Sequence, residues 1–399
     1  MKPLDGLVVL DFSRVLAAPL ATMILAELGA TVIKIERPGG GDETRQWEPT
    51  IGSKDGGQES GYFFAFNRAK QSVTLNLKSK KAQDIARRLA ATADIVVENF
   101  PPGTMAEMGL GYEDIKAINP RAIYIANTGF GQTGPYAQRK GYDTIFQAMS
   151  GLMSLTGEPD RGPAKAGLPM SDLTSGLWIA IAALSGLAGR AQGGQGCFVD
   201  LSMFDAQVAQ LTIAAARFFA LGEVPARTGT EHPGRVPSAA FQCRDGRWLH
   251  ITGSDQHWEP LLKALGLDRL QQDEALKKNA VRVERREEVM GALRYAISRL
   301  DRAPLLQALE KADVPAGPIN ALDEVLADPH TRARGIVGSF QHPVVGRFPA
   351  LRLPLRYDGY ENPEIGRPPV LGEHTDEVLR DRLGLNADEI AALRSEKAI

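Results

Sequence analysis

The chain has 399 residues, of which 43% are hydrophobic and 24% charged, with a formal net charge of −2. This is core material for two or three ordinary domains, or for one large domain carrying a smaller one, and it leaves no global field to draw nucleic acid or an anionic membrane. Two distant cysteines, Cys197 and Cys243, exclude a disulfide framework and a paired-thiol zinc site and fit a reducing cytoplasm.

The opening stretch MKPLDGLVVLDFSR meets an acid at Asp5 and has only a short apolar run, unlike a secretory signal. Within it GLVVLDF has strand length, and APLATMILAELGA follows as a helix closed by Gly29. TVIKIER is a β-branched strand. The cycle continues with the strand SVTLNL, the helix SKKAQDIARRLAAT, the strand DIVVENF, a helix from Gly103 to Ile118 and the strand RAIYIAN. Strands alternating with helices of this length predict βαβ units and a parallel sheet, hence the α/β class. Ligands of open α/β sheets bind beyond the carboxyl ends of the strands. The segments to inspect are therefore SRVLAAP, ERPGGGDETR, ENFPPG and TGFGQTGP.

Residues 166–189, AGLPMSDLTSGLWIAIAALSGLAG, place Asp172 ahead of a long apolar run. The run has the length of a membrane span, but it is rich in Gly, Ala and Ser and broken by Thr174 and Ser175, so it reads as a buried helix. Near residue 225 the pattern changes. AAFQCRDGRWLHITGS sets Asp245-Gly246 between two alternating runs, a hairpin signal, and HWEPLLKALGL, RREEVMGALRYAISRL and APLLQALEKADV read as helices. This predicts a smaller α+β domain over 225–330. Beyond it, GSFQHPVVGRFPALRLPLRY looks extended and TDEVLRDRLGLNADEIAALRSEKA gives two terminal helices.

GFGQTG (129–134) spells a dinucleotide fingerprint, but Pro135 and YAQRKGYD follow it with no helical period to receive a pyrophosphate. It reads as a Gly-rich active-site loop. The histidines show no metal-ligand spacing and no nucleophile elbow occurs, so no metal site is expected and the chemistry falls to carboxylates. Asp172 has two readings. A Ser or Asp just before an apolar helix is the ordinary N-cap. The same helix start would keep a carboxylate ionised, the following TSG is small enough for a substrate to approach, and a carboxylate can act as a nucleophile.

Taken in order, LDFSRVLAAPLATMILAELGATVIKIERPGGGDETR, VENFPPGTMAEMGLGYEDI, GFGQTGP, RKGYD, AGLPMSDLTSGL, PAGPIN and the terminal LGEHTDEVL and EIAALR resemble the class III coenzyme A transferases, the family of formyl-CoA transferase and carnitine CoA-transferase. The resemblance implies an aspartyl nucleophile at Asp172, an aspartyl-CoA thioester intermediate, and no cofactor beyond coenzyme A as substrate. It also implies CoA contacts at Leu16 and Ala17, at Arg37, along Leu75, Asn76, Leu77 and Lys78, and at Asn99 and Phe100. Lys140, Gly141, Tyr142 and Asp143 would border the reacting thioester. The implied fold is a Rossmann-like large domain, begun by 1–224 and completed by 331–399, in an interlocked homodimer.

Three positions depart from formyl-CoA transferase. Leu16 stands where that enzyme has Gln, Glu107 where it has a basic residue, and Gly253–Gln256 (GSDQ) where it has a run of glycines. The first loop and the glycine loop are closer to the dicarboxylate enzymes of the succinyl-CoA:glutarate kind, with Arg14 suited to a distal carboxylate. The alternatives are an α-methylacyl-CoA racemase, which would need a His where Tyr142 stands, and a non-catalytic CoA-binding protein.

Overall fold

The computed structural model describes residues 1–52 and 56–399. The chain divides into two compact units: Met1–Leu152, Ala166–Ala216 and His330–Ile399 form the first, Met153–Lys165 and Arg217–Pro329 the second. The smaller unit therefore begins earlier than the sequence reading placed it. It also takes in 153–165 (MSLTGEPDRGPAK), a stretch with no hydrophobic period to assign it.

In the first unit the strands are β1 (Val8–Asp11), β2 (Thr31–Glu36), β3 (Thr50–Gly52), β4 (Gln58–Ser60), β5 (Gln71–Thr74), β6 (Ile95–Glu98), β7 (Ile123–Thr128) and β8 (Cys197–Ser202). β3 and β4 pair as a separate hairpin, and the other six form one parallel sheet in the order β5-β2-β1-β6-β7-β8. Counted within the sheet this is 3-2-1-4-5-6, the doubly wound order, whose crevice opens where the order reverses, between β1 and β6. VVLD, IVVE and IYIANT are buried along their whole length, as strands covered on both faces must be. Alternate residues feed two cores. Leu10, Ile33, Val73 and Val96 face one side; Val9, Val32, Ile95 and Val97 face the other. The edge strand β8 has no such apolar run, because Phe198 and Asp200 face outward, and sequence reading did not single it out.

The helices of this part are α1 (Ala17–Glu27), α2 (Gly61–Phe66), α3 (Lys80–Ala90), α4 (Thr104–Glu107), α5 (Tyr112–Ile118) and α6 (Asp143–Met149), then, after the short α7 (Leu152–Leu155) at the boundary with the second unit, α8 (Met170–Gly193) and α9 (Met203–Val208). The single helix expected over 103–118 is two, α4 and α5. Gly109 turns left-handed at φ +68°, and Gly111 lies so close to Ala106 that a Cβ would meet it at 3.0 Å. Helix α8 is long and apolar enough to cross a membrane. Here one face (Ile179, Ala180 and Ala183) packs with Ala18, Ala21 and Leu25 of α1, while Leu177, Trp178, Ile181 and Leu184 lie exposed on the other. The last segment adds a hairpin, Val337–His342 with Gly346–Leu351. Helices Thr375–Leu383 and Ala387–Ser395 follow, and their Val378, Leu379 and Ile390 enter the first core.

In the second unit Ser238–Gln242 and Trp248–Thr252 pair antiparallel around Gly246, at φ +75°, with Ala316–Pro318 as a third strand. Helices Asp255–Leu265, Arg286–Ile297 and Arg302–Lys311 cover the sheet. Arg282 is wholly buried there, bonded to Asp255 at 2.7 Å and to the carbonyls of Val236, Leu276 and Lys277. The GSDQ stretch opens the first of these helices: Ser254 is its N-cap, and His257 Nδ1 accepts the Ser254 N–H at 3.0 Å.

Candidate active site

The carboxyl edge of the parallel sheet is where the chain concentrates charge. β1 ends on Asp11, β2 on Glu36 and β6 on Glu98, all buried. Uncompensated carboxylates there would be costly. Asp11 meets Lys70 Nζ at 3.0 Å and Thr22 Oγ1 at 2.7 Å; burial pushes its carboxyl up, but the ammoniums of Lys70 and Lys34 bring it below the usual range. Glu36 is gripped through both oxygens by Arg45 at 2.8 Å and accepts Ser72 Oγ at 2.6 Å. Lys34, also wholly buried, bonds Asp42 at 3.0 Å and the Ser13 carbonyl at 2.7 Å. Glu98 has no cationic partner among the described residues. Burial pushes its carboxyl up to about 7, and it accepts the Phe100 N–H at 2.7 Å.

Over this edge lies a cleft of about 350 Å³. Its walls are the loops after β1 (Ser13, Arg14), β2 (Arg37), β5 (Leu75–Lys78) and β6 (Phe100), with Lys34 and Glu36 beneath. Arg14, Arg37 and Lys78 are exposed, and none has an ion-pair partner among the described residues. Arg37 answers neither Glu36 nor Asp42, which belong to Arg45 and Lys34; its Nε donates to the Gly41 carbonyl at 3.2 Å. Arg14 lies 4.8 Å over the Phe100 ring. Three unpaired cations around a partly apolar cleft suit a polyanionic ligand with an apolar arm. Of the residues the resemblance implied for CoA, Arg37, Leu75, Asn76, Leu77, Lys78 and Phe100 meet here, together with Arg14, the residue suited to a distal carboxylate. Leu16 and Ala17 do not: both are buried, at 1% and 3% exposure, as the start of α1. Asn99 lies beside the cleft with its amide on the main chain of Arg14, accepting its N–H at 2.9 Å and donating to its carbonyl at 2.8 Å. Glu107, at the end of α4, is exposed and is not part of this wall.

Asp172 is the third residue of α8, and the N-cap position belongs to Pro169. Its carboxylate makes no hydrogen bond within the described residues. The capping falls to Asp143 at the start of α6: its Oδ1 accepts the Ser171 N–H at 2.8 Å, and its Oδ2 accepts Gln147 Nε2 at 2.7 Å. Gln147, fully buried, also takes the Ala166 N–H at 2.9 Å. The expectation that the helix start keeps Asp172 ionised is corrected. Burial, with the nearby charge of Asp143 added, raises its carboxyl to about 7, because desolvation exceeds what a helix terminus returns. The small residues after it have a different use from the one expected. Thr174, Ser175 and Gly176 are buried, and a Cβ on Gly176 would meet the Ala17 carbonyl at 2.7 Å. They let α8 lie on α1.

The RKGYD and GFGQTG loops close on one ring: a Cβ on Gly141 or Gly129 would meet Phe146 at 2.6 and 2.8 Å. Asp200, on β8, accepts the Gln132 N–H at 3.0 Å. Lys140 and Tyr142 are exposed, Tyr142 at 79%. Tyr62, on α2, was missed. Its hydroxyl is raised by burial and by the charges of Asp172 and Asp143, which places it in their field, and Trp47 packs edge-on against it at 5.1 Å. Asp42, Lys34 and Gln147 were missed likewise, since nothing local marks them. Among the described residues no group of three or more His, Cys, Asp or Glu is placed to hold a metal ion.

Comparison with known proteins places these residues in a family. The model of CoA-transferase family III matches residues 4–375. A succinyl-CoA:glutarate CoA-transferase of Mus musculus is 41% identical over 393 residues, covering 98% of this chain and 89% of that protein. An acetyl-CoA:oxalate CoA-transferase of Acetobacter aceti is 39% identical, covering 90% of each. The crystal structure of a CAIB/BAIF family protein from Brucella suis is 40% identical with a TM-score of 0.86, covering 96% of this chain and 99% of that one. Sequence and fold agree over nearly the whole length: this chain belongs to CoA-transferase family III and is a CoA-transferase.

Proposed function

We propose that the protein moves CoA from succinyl-CoA to a dicarboxylate of the glutarate class, with Asp172 as nucleophile. The observation that carries the nucleophile is its carboxyl: without a hydrogen bond among the described residues, at the start of a long helix, and basic enough to hold a proton to about 7. A more basic carboxylate is a stronger nucleophile, and a useful fraction is ionised near neutrality. In the proposed sequence an Asp172 oxygen attacks the thioester carbonyl, giving an aspartyl-acyl anhydride and CoA thiolate. The thiolate attacks the Asp172 carbonyl, forming an aspartyl-CoA thioester and releasing the donor acid. The acceptor carboxylate then attacks that thioester, freeing the thiolate once more. The thiolate takes the acyl group from the new anhydride and restores Asp172. These steps draw on nothing beyond the protein and coenzyme A.

Arg14, Arg37 and Lys78 are the groups for the CoA phosphates and, at Arg14, for a distal carboxylate of the acid. The dicarboxylate reading is supported by the named activity of the Mus musculus relative. We place the enzyme in the cytoplasm as a homodimer in which the chains interlock. The support for a partner copy is the helix Thr212–Leu221, which buries no residue and exposes Ile213 at 83% and Phe219 at 81%.

The test is chemical. Incubation with succinyl-CoA followed by borohydride or hydroxylamine is expected to leave a mass change on the peptide containing Asp172, and none in Asp172→Ala. Turnover of succinyl-CoA with glutarate, malate and oxalate is expected to favour the longer diacids; turnover with oxalate alone sinks the dicarboxylate reading.

A further inference from the structure

The turn that leaves β1 is held in an unusual way. Val15 has φ +70°, a left-handed conformation that β-branched side chains rarely adopt, and one that persists only where the surroundings over-determine it. Here five main-chain groups in succession are taken by side chains from elsewhere. Asp11 accepts the Ser13 N–H at 2.9 Å and Lys34 donates to the Ser13 carbonyl at 2.7 Å. Asn99 takes both the N–H and the carbonyl of Arg14, and the Asp42 carboxylate accepts the Val15 N–H at 3.3 Å. Asn99 follows β6, so its amide spans the point where the strand order reverses and clips the loop on the other side. What it clips is a wall of the cleft, since Arg14 lies over Phe100, the neighbour of Asn99.

We propose that Asn99 is a positioning residue for acyl-CoA: by clipping the Arg14 peptide at both ends it keeps Val15 left-handed and Arg14 aimed over the cleft. This rests on the reading of the cleft as the CoA site. Without the clip Val15 relaxes toward the extended region, and Arg14 leaves with it. A residue that merely touched CoA would lose its contact whatever stood at position 15. A clip depends on that position, because glycine adopts the left-handed conformation without penalty.

The experiment is a double-mutant cycle read by calorimetric titration with coenzyme A and by steady-state kinetics. Asn99→Ala removes two hydrogen bonds and is expected to weaken CoA binding, and raise KM for the donor, about tenfold with kcat within about twofold. Val15→Gly alone is expected to stay near wild type. The pair Val15→Gly with Asn99→Ala is expected to bind within about threefold of wild type, a non-additive rescue. Should Asn99→Ala not fold, Asn99→Asp, which keeps an acceptor for the Arg14 N–H but sets a charged oxygen where the donor to the Arg14 carbonyl stood, is read in the same two backgrounds. Equal losses in both backgrounds, or no loss from the Asn99 variants, overturn the clip. Absence of CoA binding by the wild-type protein instead overturns the reading of the cleft.

Discussion

The carboxyl of Asp172 and the carboxylate of Asp143 share one helix start but have opposite tasks. Asp143 is bonded twice and secures the first turn of α8; Asp172 is left unbonded and raised to about 7. The proposed attack by Asp172 requires the ionised form, so kcat/KM is expected to rise with pH through about 7. Asp143→Asn keeps an oxygen for the Ser171 N–H and removes the neighbouring charge, but sets its NH2 against Gln147 Nε2; it is expected to move that edge to lower pH and to cost about 1–3 kcal/mol of stability. The stability sign follows from the same shift. The folded protein holds the Asp172 proton to about 7, whereas an unfolded aspartate releases it near 3.8, so stability falls as pH rises between those values. Asp172→Asn is therefore expected to be more stable than wild type at about pH 8, on the order of 1–2 kcal/mol after discounting for partial exposure. The advantage should vanish below about pH 4; thermal melts at the two pH values, beside a pH–rate profile of Asp143→Asn, check the assignment. Sequence reading had located Asp172 but reversed its electrostatics, because burial and the approach of Asp143 belong to no local pattern.

At the scale of elements, α8 and α1 carry the site. Gly176 lies one turn beyond Asp172 and rests on the carbonyl of Ala17, which begins the helix after the Val15 turn. Asp172 and the loop gripped by Asn99 are thereby fixed to a common seam. Replacing a mid-helix glycine by alanine ordinarily stabilises by about 1 kcal/mol. At Gly176 the new Cβ would stand 2.7 Å from main-chain oxygen and 2.9 Å from Leu20, and overpacking of this kind costs about 1–3 kcal/mol. Gly176→Ala is expected to lower stability in urea titration and weaken CoA binding, while Gly189→Ala on the same helix, with nothing within 4 Å, should gain stability. Most elements of the sheet and helices were legible, because a buried parallel strand is a run of β-branched residues and a packed helix repeats every turn. The elements that escaped were those whose cause is not periodic. β8 is half-exposed at an edge, and α4 and α5 are parted by a glycine pressed against Ala106.

Across the whole molecule, the first unit is assembled from three stretches of chain and the second from two. The Thr212–Leu221 helix, which buries no residue fully and exposes Ile213 and Phe219, is expected to be covered by a second copy of the chain. Phe219→Glu with Ile213→Glu is therefore expected to shift sedimentation from dimer toward monomer; a wild-type protein that sediments as a monomer would remove the dimer from the proposal. The amino-acid sequence alone determined the α/β class and the placing of Asp172 ahead of a long apolar helix, since each is written in residues close together along the chain. Tertiary structure decided the rest. It set that Asp143 rather than Asp172 secures the start of α8, which cations around the cleft have no ion-pair partner among the described residues, and that Asn99 grips Arg14 across the reversal of strand order. These depend on desolvation and on contacts between residues tens to hundreds of positions apart, and no local spacing records them.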